Sequence, residues 1–487
     1  MDSLFYAIVG FFQASYDTMY IFTFVVAGFL LLSGLDDIAL DLFYWYHHLF
    51  KPDRIHPHQD LPPELLDTLE EKYIAIYIPA WHEQDVIGPM LARACSTITY
   101  TNYDIFVGIY PNDPYTLEKV NELAERYPQI HPVIGNHAGP STKADNLNEI
   151  HAGLLRWENQ TGKRYDIIMM TDAEDLMSPM ALKVFNYFIP EYDMVQLPVF
   201  PLETPRTKFV HWTYCDEFAE NHTKDLMVRQ LFSGFVPSAG VGTGYNRWLI
   251  EFVGTSFAQN MFSNTSLTED YDIALRLALA KSKLLYLYQP FGIDVATRAY
   301  FPETFKTAVR QRSRWLIGIC LQAWRNYGWS GDMKFRMTLY RDRKAVLSNL
   351  LNGLSYVVLL YVLFYELARR GLAAYGTLVP IINEGTPLWY ISVAVTLFML
   401  WRFLHRYLTV SRIYGKISGM MGIFRFPVGN LINFVATFRG LSKFIVSARR
   451  KQQVVWDKTS HTFPVLEQIP TKQPLQAQPH MKYESSL

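Results

Sequence analysis

The chain has 487 residues, of which 50% are hydrophobic and 18% are charged, and it exceeds the length of one ordinary domain. Lys plus Arg and Asp plus Glu are equal at 45 each, so the charge balance gives no indication of a nucleic-acid partner. Three widely separated cysteines, with no CxxC or Cys/His cluster, indicate neither a disulfide framework nor a zinc site. The composition predicts a reduced, cytosol-facing domain joined to a few membrane segments.

The first candidate membrane segment covers residues 18–35, which are uncharged and just long enough to cross a bilayer. Asp36 and Asp37 end it. Residues 3–16 are also uncharged but short, and we interpret them as an interfacial lead-in. A signal peptide is disfavoured because no basic region precedes the apolar run. A linker rich in Pro, His and Asp at 56–63 predicts the start of the soluble domain.

Between residue 73 and about residue 287, short apolar runs alternate with helical patterns. This alternation predicts βαβ units and a mostly parallel α/β sheet that is covered on both faces. Ligands of such sheets bind beyond the carboxyl ends of the strands, so polar residues just after the strands are candidate site residues. The predicted strands are 73–79, 104–110, 130–134, 166–171 and 193–199, and the predicted helices include 117–126 and 146–157.

The sequence after residue 344 predicts further membrane segments. Residues 345–365 form the clearest span, and residues 385–401 form another at the short end of the range. Residues 419–446 are apolar but contain three basic side chains. A span and an interfacial or re-entrant helix both stay open for this stretch. The tail from residue 452 has the Pro, Gln and Ser content of a loosely ordered end.

Basic residues near the ends of these segments predict their orientation, because cytoplasmic loops carry an excess of Lys and Arg. One cluster precedes 345–365 and another follows 385–401, so both should face the cytoplasm with 366–384 outside. Arg369 and Arg370 lie in the predicted outside loop and are a weak argument against this orientation. The α/β domain is then predicted to be cytoplasmic. The two clusters are Lys334, Arg336, Arg341, Arg343 and Lys344, and Arg402, Arg406, Arg412 and Lys416.

Acidic residues directly follow the predicted strand that ends near residue 170, in the sequence Thr171-Asp172-Ala173-Glu174-Asp175. Carboxylates at the end of a buried strand are costly unless a cation pairs with them. Mg²⁺ and Mn²⁺ take oxygen ligands and bridge protein carboxylates to substrate phosphates. A polar turn that caps the next helix explains the same pattern, so the motif alone does not decide between the two.

Thr268-Glu269-Asp270 precedes the helical pattern 271–280. Thr268 could cap that helix with acidic residues in its first turn, which is a structural role. Alternatively, Asp270 could act as a general base that removes a proton from an acceptor hydroxyl. Taken singly, this motif favours the capping role.

Gln311-Arg312-Ser313-Arg314-Trp315 lies on a helix predicted over 304–324. Gln311, Arg314 and Trp315 share one face of that helix at spacings i, i+3 and i+4. An Arg suits a diphosphate because its planar group makes paired charge-assisted bonds, and a Trp offers a flat platform for a sugar ring. A surface Arg beside a Trp at the membrane interface explains the same residues.

Together, in this order and spacing, the three motifs resemble the D, DxD, TED and QxxRW set of membrane-bound family-2 glycosyltransferases, which include cellulose and hyaluronan synthases. The resemblance covers roughly residues 73–440 and implies a GT-A domain inserted between transmembrane helices. The implied regions are 1–55 (N-terminal membrane segment and linker), 56–344 (cytoplasmic GT-A domain), 345–450 (transmembrane or interfacial helices) and 451–487 (tail).

Further stretches are similar to family motifs for the nucleotide, the donor, the acceptor and, in cellulose synthase, a gate. The second strand is followed by Asn where the family has its first Asp, and the gating stretch has Ala for Val and Arg for Lys. These stretches are Ile78-Pro79-Ala80-Trp81-His82-Glu83, Asn112-Asp113, Lys143-Ala144-Asp145-Asn146-Leu147-Asn148, Gly240-Val241-Gly242-Thr243-Gly244 and Phe434-Val435-Ala436-Thr437-Phe438-Arg439-Gly440.

The resemblance implies roles for individual residues. Asp270 is the general base, in a catalytic set with Glu269 and Asp172. Asp172 and Glu174 hold Mg²⁺ or Mn²⁺, with Asp175 as an alternative second ligand because the DxD position ends in Glu. Donor binding is implied for Glu83, Asp113, Lys143, Asp172 and Arg314, and acceptor binding for Gln311, Trp315, Gly242 and Thr243.

The implied activity is that of an inverting, multi-pass inner-membrane glycosyltransferase that transfers sugar from a nucleotide sugar, expected to be a UDP-sugar, to a growing polysaccharide. An outer-membrane or periplasmic export partner is an associated expectation. A lipid acceptor and a non-catalytic scaffold or phage-receptor component stay open as alternatives. The chain further resembles inner-membrane glycosyltransferases linked to bacteriophage adsorption, and we expect it to lack their C-terminal cyclic di-GMP-binding domain.

Overall fold

The computed structural model describes residues 2–256, 260–450 and 463. Its strands are β1 (Ile74–Pro79), β2 (Tyr103–Ile109), β3 (Ile130–Ile134), β4 (Ile167–Met170), β5 (Met194–Gln196), β6 (Val199–Pro201), β7 (Thr243–Asn246), β8 (Leu284–Tyr286) and β9 (Thr297–Ala299). Seven of them form one sheet in the order β3-β2-β1-β4-β7-β5-β8. Only β7 is antiparallel to its neighbours in that sheet, and β6 and β9 form a small parallel pair.

Helices cover the sheet and extend from it in both directions along the chain. Among the described residues, short 3₁₀ helices lie at Pro63–Asp67, Pro290–Gly292 and Ala373–Tyr375, and π-helical turns lie at Asn221–Asp225 and Leu316–Gln322. The α-helices of the described residues are α1 (Asp2–Phe50), α2 (Pro52–Ile55), α3 (Ile87–Thr97), α4 (Pro114–Arg126), α5 (Lys143–Thr161), α6 (Ala181–Phe188), α7 (Phe209–Glu220), α8 (Leu226–Ser233), α9 (Arg247–Ser256), α10 (Glu269–Leu279), α11 (Phe305–Trp315), α12 (Ala323–Tyr327), α13 (Met333–Gly371), α14 (Pro387–Tyr414) and α15 (Lys416–Arg450).

Strand β1 shows why the central strands form an almost continuous apolar run. Ala75 and Tyr77 point into a core shared with α5, while Ile74, Ile76 and Ile78 point into a second core shared with α3, α4 and α6. Successive side chains of a strand face opposite sides of the sheet, so burial of both sides requires apolar residues at every position. The sheet and its covering helices, called the α/β domain below, therefore have a three-layer arrangement.

The predicted strands before residue 172 correspond to β1–β4, but the prediction of one strand over 193–199 is wrong. That stretch contains β5 and β6, which belong to different sheets. Pro198 separates them, and because proline has no backbone N–H it cannot continue a central ladder. Its carbonyl oxygen instead accepts a hydrogen bond from Thr297 N at 2.9 Å, next to the pairing of β6 with β9.

Within the described residues, α1, α13, α14 and α15 are the helices long and apolar enough to cross a membrane. The predicted segments 18–35 and 345–365 lie inside α1 and α13, and 385–401 overlaps α14. The interfacial lead-in proposed for 3–16 is wrong as a separate element, because these residues belong to the same continuous helix as 18–35. The expected boundary at residue 344 falls within α13, and the tail beyond 450 lies outside the described residues except for Phe463.

Charged side chains mark one level where the apolar stretches of three helices end. Lys344 Nζ on α13 lies 2.7 Å from Asp36 Oδ1 on α1, and Arg341 Nη1 lies 3.0 Å from Asp36 Oδ2. Arg402 on α14 approaches Asp37 at 4.0 Å. These five residues separate the apolar lengths of α1, α13 and α14 from the parts of these helices that contact the α/β domain.

Candidate active site

The carboxyl ends of β1, β2 and β4 meet at one edge of the sheet, where α4 and α5 also begin. Asp113 caps α4 by accepting a hydrogen bond from Thr116 N, and Thr142 caps α5 by accepting one from Asp145 N at 3.1 Å. Helix N-termini present unpaired backbone N–H groups and favour negative charge. This edge is therefore suited to an anion such as a diphosphate.

Lys143, the first residue of α5, connects the two acidic motifs. Its Nζ lies 2.5 Å from Asp172 Oδ1, just after β4, and 3.7 Å from Glu269 Oε1 at the start of α10. Burial opposes the charge on this amine, but Asp172, Glu269 and Asp270 outweigh burial and raise the pKa of Lys143. The residue therefore remains a cation inside a cluster of carboxylates.

Asp270 is half-buried against the turn that precedes β7. Its Oδ1 accepts a hydrogen bond from Tyr271 N at 2.7 Å, and its Oδ2 would lie 2.7 Å from a Cβ built on Gly240. Gly240 has φ +75°, which a larger residue adopts only with strain, so glycine allows this close approach. Burial raises the pKa of Asp270 although Lys143 and Arg314 lower it. A raised pKa makes a carboxylate a stronger base.

Helix α11 brings the third motif to the same place. The charge of Arg314 acts on both Glu269 and Asp270, and Gly318 in the following π-helical turn packs so closely on Thr268 that a Cβ would lie 2.2 Å from the threonine hydroxyl. Trp315 packs with its ring centroid 6.0 Å from that of Tyr214. The structure thus brings Asp172, Lys143 and Arg314 close enough to Asp270 for their charges to act on its carboxylate. Gln311, on the same helix, has a buried Oε1 without a hydrogen-bond partner among the described residues.

The carboxylates that follow β4 differ in how far they are buried. Asp175 is 4% exposed, and its Oδ2 accepts hydrogen bonds from Thr171 Oγ1 at 2.9 Å and Asp172 N at 2.8 Å. Burial, with the charges of Asp172 and Glu174, raises the pKa of Asp175 well above its usual value. Asp175 therefore stabilises the turn, and Glu174 is the better candidate for a second metal ligand.

The acidic side chains of the site can hold a divalent cation only if a bound substrate supplies further ligands. No group of three or more Asp, Glu, His or Cys side chains in the described part of the chain is placed to hold a metal ion. However, 33% of the Asp172 side chain is exposed at the sheet edge. Mg²⁺ commonly binds through one or two carboxylates plus substrate phosphates, so Asp172 and Glu174 fit an ion that is completed by a nucleotide diphosphate.

Glu83 and Asp113, predicted to contact the nucleotide, are both buried. Asp113 Oδ2 accepts a hydrogen bond from His82 N at 2.6 Å, and Glu83 N donates to Thr116 Oγ1 at 3.0 Å. The carboxylate of Asp113 therefore holds the loop after β1 against the start of α4. The Asp113 carboxylate thereby fixes the shape of this side of the site from within the fold.

Gly242 and Thr243, predicted to contact the acceptor, lie in a turn held by an inward hydrogen-bond network. Gly242 has φ +58°, and Thr243 is fully buried with its Oγ1 donating to Gln196 Oε1 at 2.7 Å. Gln196 also accepts a hydrogen bond from Ala239 N at 2.7 Å, and its Nε2 donates to Val241 O at 3.0 Å. Gln196 thus holds the loop 238–243, which includes the glycine that touches Asp270.

Comparison with known proteins agrees with this arrangement. The family model described as "Glycosyltransferase like family 2" matches residues 71–318, about half of the chain. The chain belongs to this family. The match covers β1–β9, the acidic motifs and α11, so the family expected from the sequence is confirmed.

Two curated relatives of this family-2 glycosyltransferase are bacteriophage adsorption protein B of Escherichia coli (strain K12) and bacteriophage N4 adsorption protein B of Escherichia coli O157:H7. Each is 36% identical over 466 residues, which cover 90% of this chain and 61% of the relative. The mannosyltransferase PcManGT from Pyrobaculum calidifontis, in complex with GDP-Man and Mn²⁺, has a TM-score of 0.51 at 15% identity and covers 86% of this chain and 99% of its own. This likeness confirms the expected GT-A fold.

Two residues that hold parts of the site of the family-2 glycosyltransferase in place are not identified by its sequence motifs. Gln196 lies in the predicted strand 193–199, and a polar residue within an apolar run is the sequence signal that distinguishes it. Arg312 occupies a position that the QxxRW motif leaves unspecified. It is 5% exposed and binds Glu217 Oε1 and Asn433 Oδ1, both at 2.7 Å, so it anchors α11 to α7 and α15.

Proposed function

We propose that this protein is an inverting glycosyltransferase of the inner membrane that transfers a sugar from a nucleotide-sugar donor, with UDP-sugars as first candidates, to a growing polysaccharide. One observation carries the proposal: a general-base candidate, Asp270, lies in the same cluster as Lys143, Arg314 and the metal-ligand candidate Asp172. Inverting transfer needs these two functions side by side, a base for the acceptor and positive charge for the leaving diphosphate.

Donor binding is assigned to the edge where α4 and α5 begin. Lys143 and Arg314 would neutralise the diphosphate, while Glu83 and Asp113 shape the nucleotide side. Asp172 and Glu174 would hold Mg²⁺ or Mn²⁺, which supplies Lewis-acid stabilisation of the leaving group when bound. The complex of PcManGT with GDP-Man and Mn²⁺ supports a metal-dependent nucleotide-sugar donor.

Acceptor activation is assigned to Asp270. Its carboxylate would take the proton of an acceptor hydroxyl as the oxygen attacks the anomeric carbon from the side opposite the diphosphate, which inverts the configuration. Trp315 and Gln311 would orient the acceptor ring, with Gly242 and Thr243 forming the adjacent turn.

The names of the relatives favour a second, compatible candidate. Both are called bacteriophage adsorption proteins, so the product or the protein itself could belong to a surface structure that a phage uses, together with an export partner. A lipid acceptor is the remaining alternative within the same chemistry. Product size separates these acceptors, because a lipid acceptor yields a single-sugar glycolipid and a polysaccharide acceptor yields a polymer.

The direct test is release of nucleoside diphosphate by the full chain in detergent or nanodiscs. We expect release from at least one member of a panel of UDP-sugars and GDP-mannose with Mg²⁺ or Mn²⁺, and loss of release with a chelator. No turnover of any donor, with or without membrane extracts as an acceptor source, would contradict an enzymatic role. Chelator-resistant turnover would contradict the metal assignment alone.

Gln196 provides a prediction about positioning. Gln196→Leu removes the bonds that hold the loop 238–243 beside Asp270, so we expect kcat to fall about 10²-fold with little change in KM for the donor. Asn186→Leu is the matched control, because Asn186 is a buried amide that bonds Glu70 O and Lys72 N, both at 3.1 Å, away from the site. Equal kcat in the two variants would remove Gln196 from the positioning role.

The pH dependence of stability should contain a contribution from Glu269. Burial raises the pKa of this carboxyl from 4.5 to about 7, with Lys143 lowering it and Asp270 raising it. Since the folded protein holds this proton more tightly than the unfolded chain, the free energy of unfolding falls as pH rises from 4.5 to 7. We expect Glu269→Gln to reduce the difference in Tm between pH 4.5 and pH 7. The exposed Glu125→Gln should leave that difference unchanged, and equal behaviour of both variants would refute the assignment.

A further inference from the structure

Lys143 is a cation at a helix position where the helix itself favours an anion. It is the first residue of α5, and the backbone N–H groups of a helix N-terminus carry a partial positive charge. The ammonium group is held there by carboxylates, with its Nζ 2.5 Å from Asp172 Oδ1 and 3.7 Å from Glu269 Oε1. The position of Lys143 is therefore explained by its acidic partners and not by the stability of α5.

The ion pair of Lys143 with Asp172 differs from an ion pair that only holds elements of the fold together. Lys224 binds Asp41 on α1 and Glu220 on α7, and all three of these side chains are almost completely buried. In contrast, the Asp172 side chain is 33% exposed at the sheet edge and that of Lys143 is 17% exposed. A ligand that arrives at this edge can therefore reach the carboxylate and the ammonium group together.

The ammonium group of Lys143 and a divalent ion compete for Asp172. A carboxylate oxygen binds Mg²⁺ at about 2.1 Å, so two cations on one carboxylate lie within about 6 Å of each other. At that distance, repulsion between a single and a double charge weakens binding about 10-fold even at the dielectric constant of water. Lys143 also cancels one of the two negative charges that Asp172 and Glu174 offer to an ion. It therefore opposes metal binding by the protein side chains alone.

A diphosphate changes this balance of charge. It contributes negative charge and oxygen ligands, and the edge assigned to it is the one where α5 begins with Lys143. A lysine has a flexible four-carbon stem and three donors, so its ammonium group can turn to a new acceptor without a movement of the helix. With a diphosphate as its partner, Lys143 no longer neutralises Asp172, and both Asp172 and the phosphate oxygens are available to an ion.

We propose that Lys143 couples metal binding to donor binding. Its ammonium group competes with a divalent ion for Asp172, and the diphosphate of a nucleotide sugar ends the competition by becoming the partner of the ammonium group. This inference rests on the proposed function, because it concerns the donor and the metal assigned there. Since the coupling of two binding equilibria is reciprocal, the ion in turn raises the affinity for the donor.

The coupling has a consequence for the catalytic cycle. When the nucleoside diphosphate leaves after transfer, Lys143 loses its phosphate partner and again competes for Asp172. The divalent ion is therefore expected to enter and leave with the nucleotide and not to stay bound to the protein between turnovers. Throughout the cycle the Asp172 carboxylate keeps a cationic partner, which avoids the cost of a partly buried charge without one.

The first measurement is Mn²⁺ binding without nucleotide by the full chain in a non-ionic detergent, with free Mn²⁺ quantified by its electron paramagnetic resonance signal. We expect Lys143→Met to bind Mn²⁺ about 10-fold more tightly than the wild type, because the competing charge is gone and water can complete the coordination of the ion. Lys143→Gln, which can still donate a hydrogen bond to Asp172, should show the same gain with less disturbance of the fold. Equal affinities of both variants and the wild type would overturn the proposal.

Three further variants identify the cause of the gain. Lys143→Arg keeps the charge and should keep the weak Mn²⁺ affinity of the wild type. Lys163→Met is the matched control and should also have no effect, because Lys163 binds Asp104 Oδ2 at 3.1 Å, away from the site. Addition of Asp172→Asn to Lys143→Met should abolish the gain. A gain that persists without the Asp172 carboxylate, or that also appears in Lys163→Met, would overturn the proposal.

The second measurement determines the coupling from the nucleotide side. The affinities for UDP and GDP are measured by equilibrium dialysis with Mn²⁺ and with EDTA. We expect the gain in affinity that Mn²⁺ gives to be about 10-fold smaller in Lys143→Met than in the wild type, and equal gains would overturn the coupling. If neither nucleotide binds, the proposed function fails, whereas the Mn²⁺ comparison still decides whether Lys143 competes for Asp172.

Discussion

Asp270→Asn is expected to lower kcat by about 10²- to 10⁴-fold, the usual contribution of a positioned general base, with donor affinity largely retained. The amide has nearly the shape of the carboxylate and can still accept the hydrogen bond from Tyr271 N, so the local fold should persist. It cannot take a proton from an acceptor hydroxyl. The loss should therefore appear in the chemical step, because Lys143 and Arg314, the cations proposed to bind the diphosphate, are unchanged in this variant.

The measurement combines initial rates with a donor-binding titration on the same preparation. Asp104→Asn is the control, because Asp104 is a buried carboxylate at the opposite end of β2, bonded to His131 at 2.7 Å and Lys163 at 3.1 Å. That variant should change stability more than kcat. Turnover of the Asp270 variant at the level of the Asp104 variant would exclude Asp270 as the base and leave Glu269 as the next candidate.

The parts of the fold that local patterns encode were predictable. β1 to β4 are apolar runs separated by helical patterns, and each is followed by polar residues at the edge where Asp172 and Lys143 lie. The sequence does not show that β7 inserts antiparallel between β4 and β5, because the register of Met170 with Thr243 joins segments more than 70 residues apart. Long-range pairing of this kind leaves no periodic signal in either segment.

The candidate site divides in the same way. Asp172, Asp270 and Arg314 could be selected because each stands at a strand or helix end, or on a helix face, where its side chain has a recognisable chemistry. The inward orientation of Thr243 could not be predicted, since it depends on the hydrogen bond to Gln196, 47 positions away. Asp113 likewise matches a donor-binding motif, yet its carboxylate serves the loop at His82.

The orientation of α15 could not be read from its composition, because an apolar segment with a few basic residues fits both a costly span and an interfacial helix. In the structure, Arg425 is paired with Asp216 on α7, so its charge is neutralised within the protein. Both side chains of this pair are almost completely buried. Its removal therefore tests how strongly α15 and α7 depend on each other.

Arg425→Met is expected to destabilise the protein by about 3–5 kcal/mol, because Asp216 would remain buried without its cation. Burial already raises the pKa of Asp216 while Arg425 and Arg406 lower it, so without Arg425 the carboxyl should take up a proton more readily than in the wild type. The folded variant then binds a proton that the unfolded chain releases, and its free energy of unfolding should fall further as pH rises from 5 to 8. Thermal unfolding in detergent at both pH values measures this.

Two further variants separate the ion pair from the loss of a large side chain. Arg449→Met removes an exposed arginine from the same helix and should change the free energy of unfolding by less than about 0.5 kcal/mol. Arg425→Met combined with Asp216→Leu removes both charges, and replacing a buried pair by apolar groups is often neutral. The double variant should therefore recover most of the lost Tm and lose the added pH dependence. If the double variant were as unstable as Arg425→Met, packing of the arginine against Trp212, at 4.9 Å, would be the dominant contribution instead of charge.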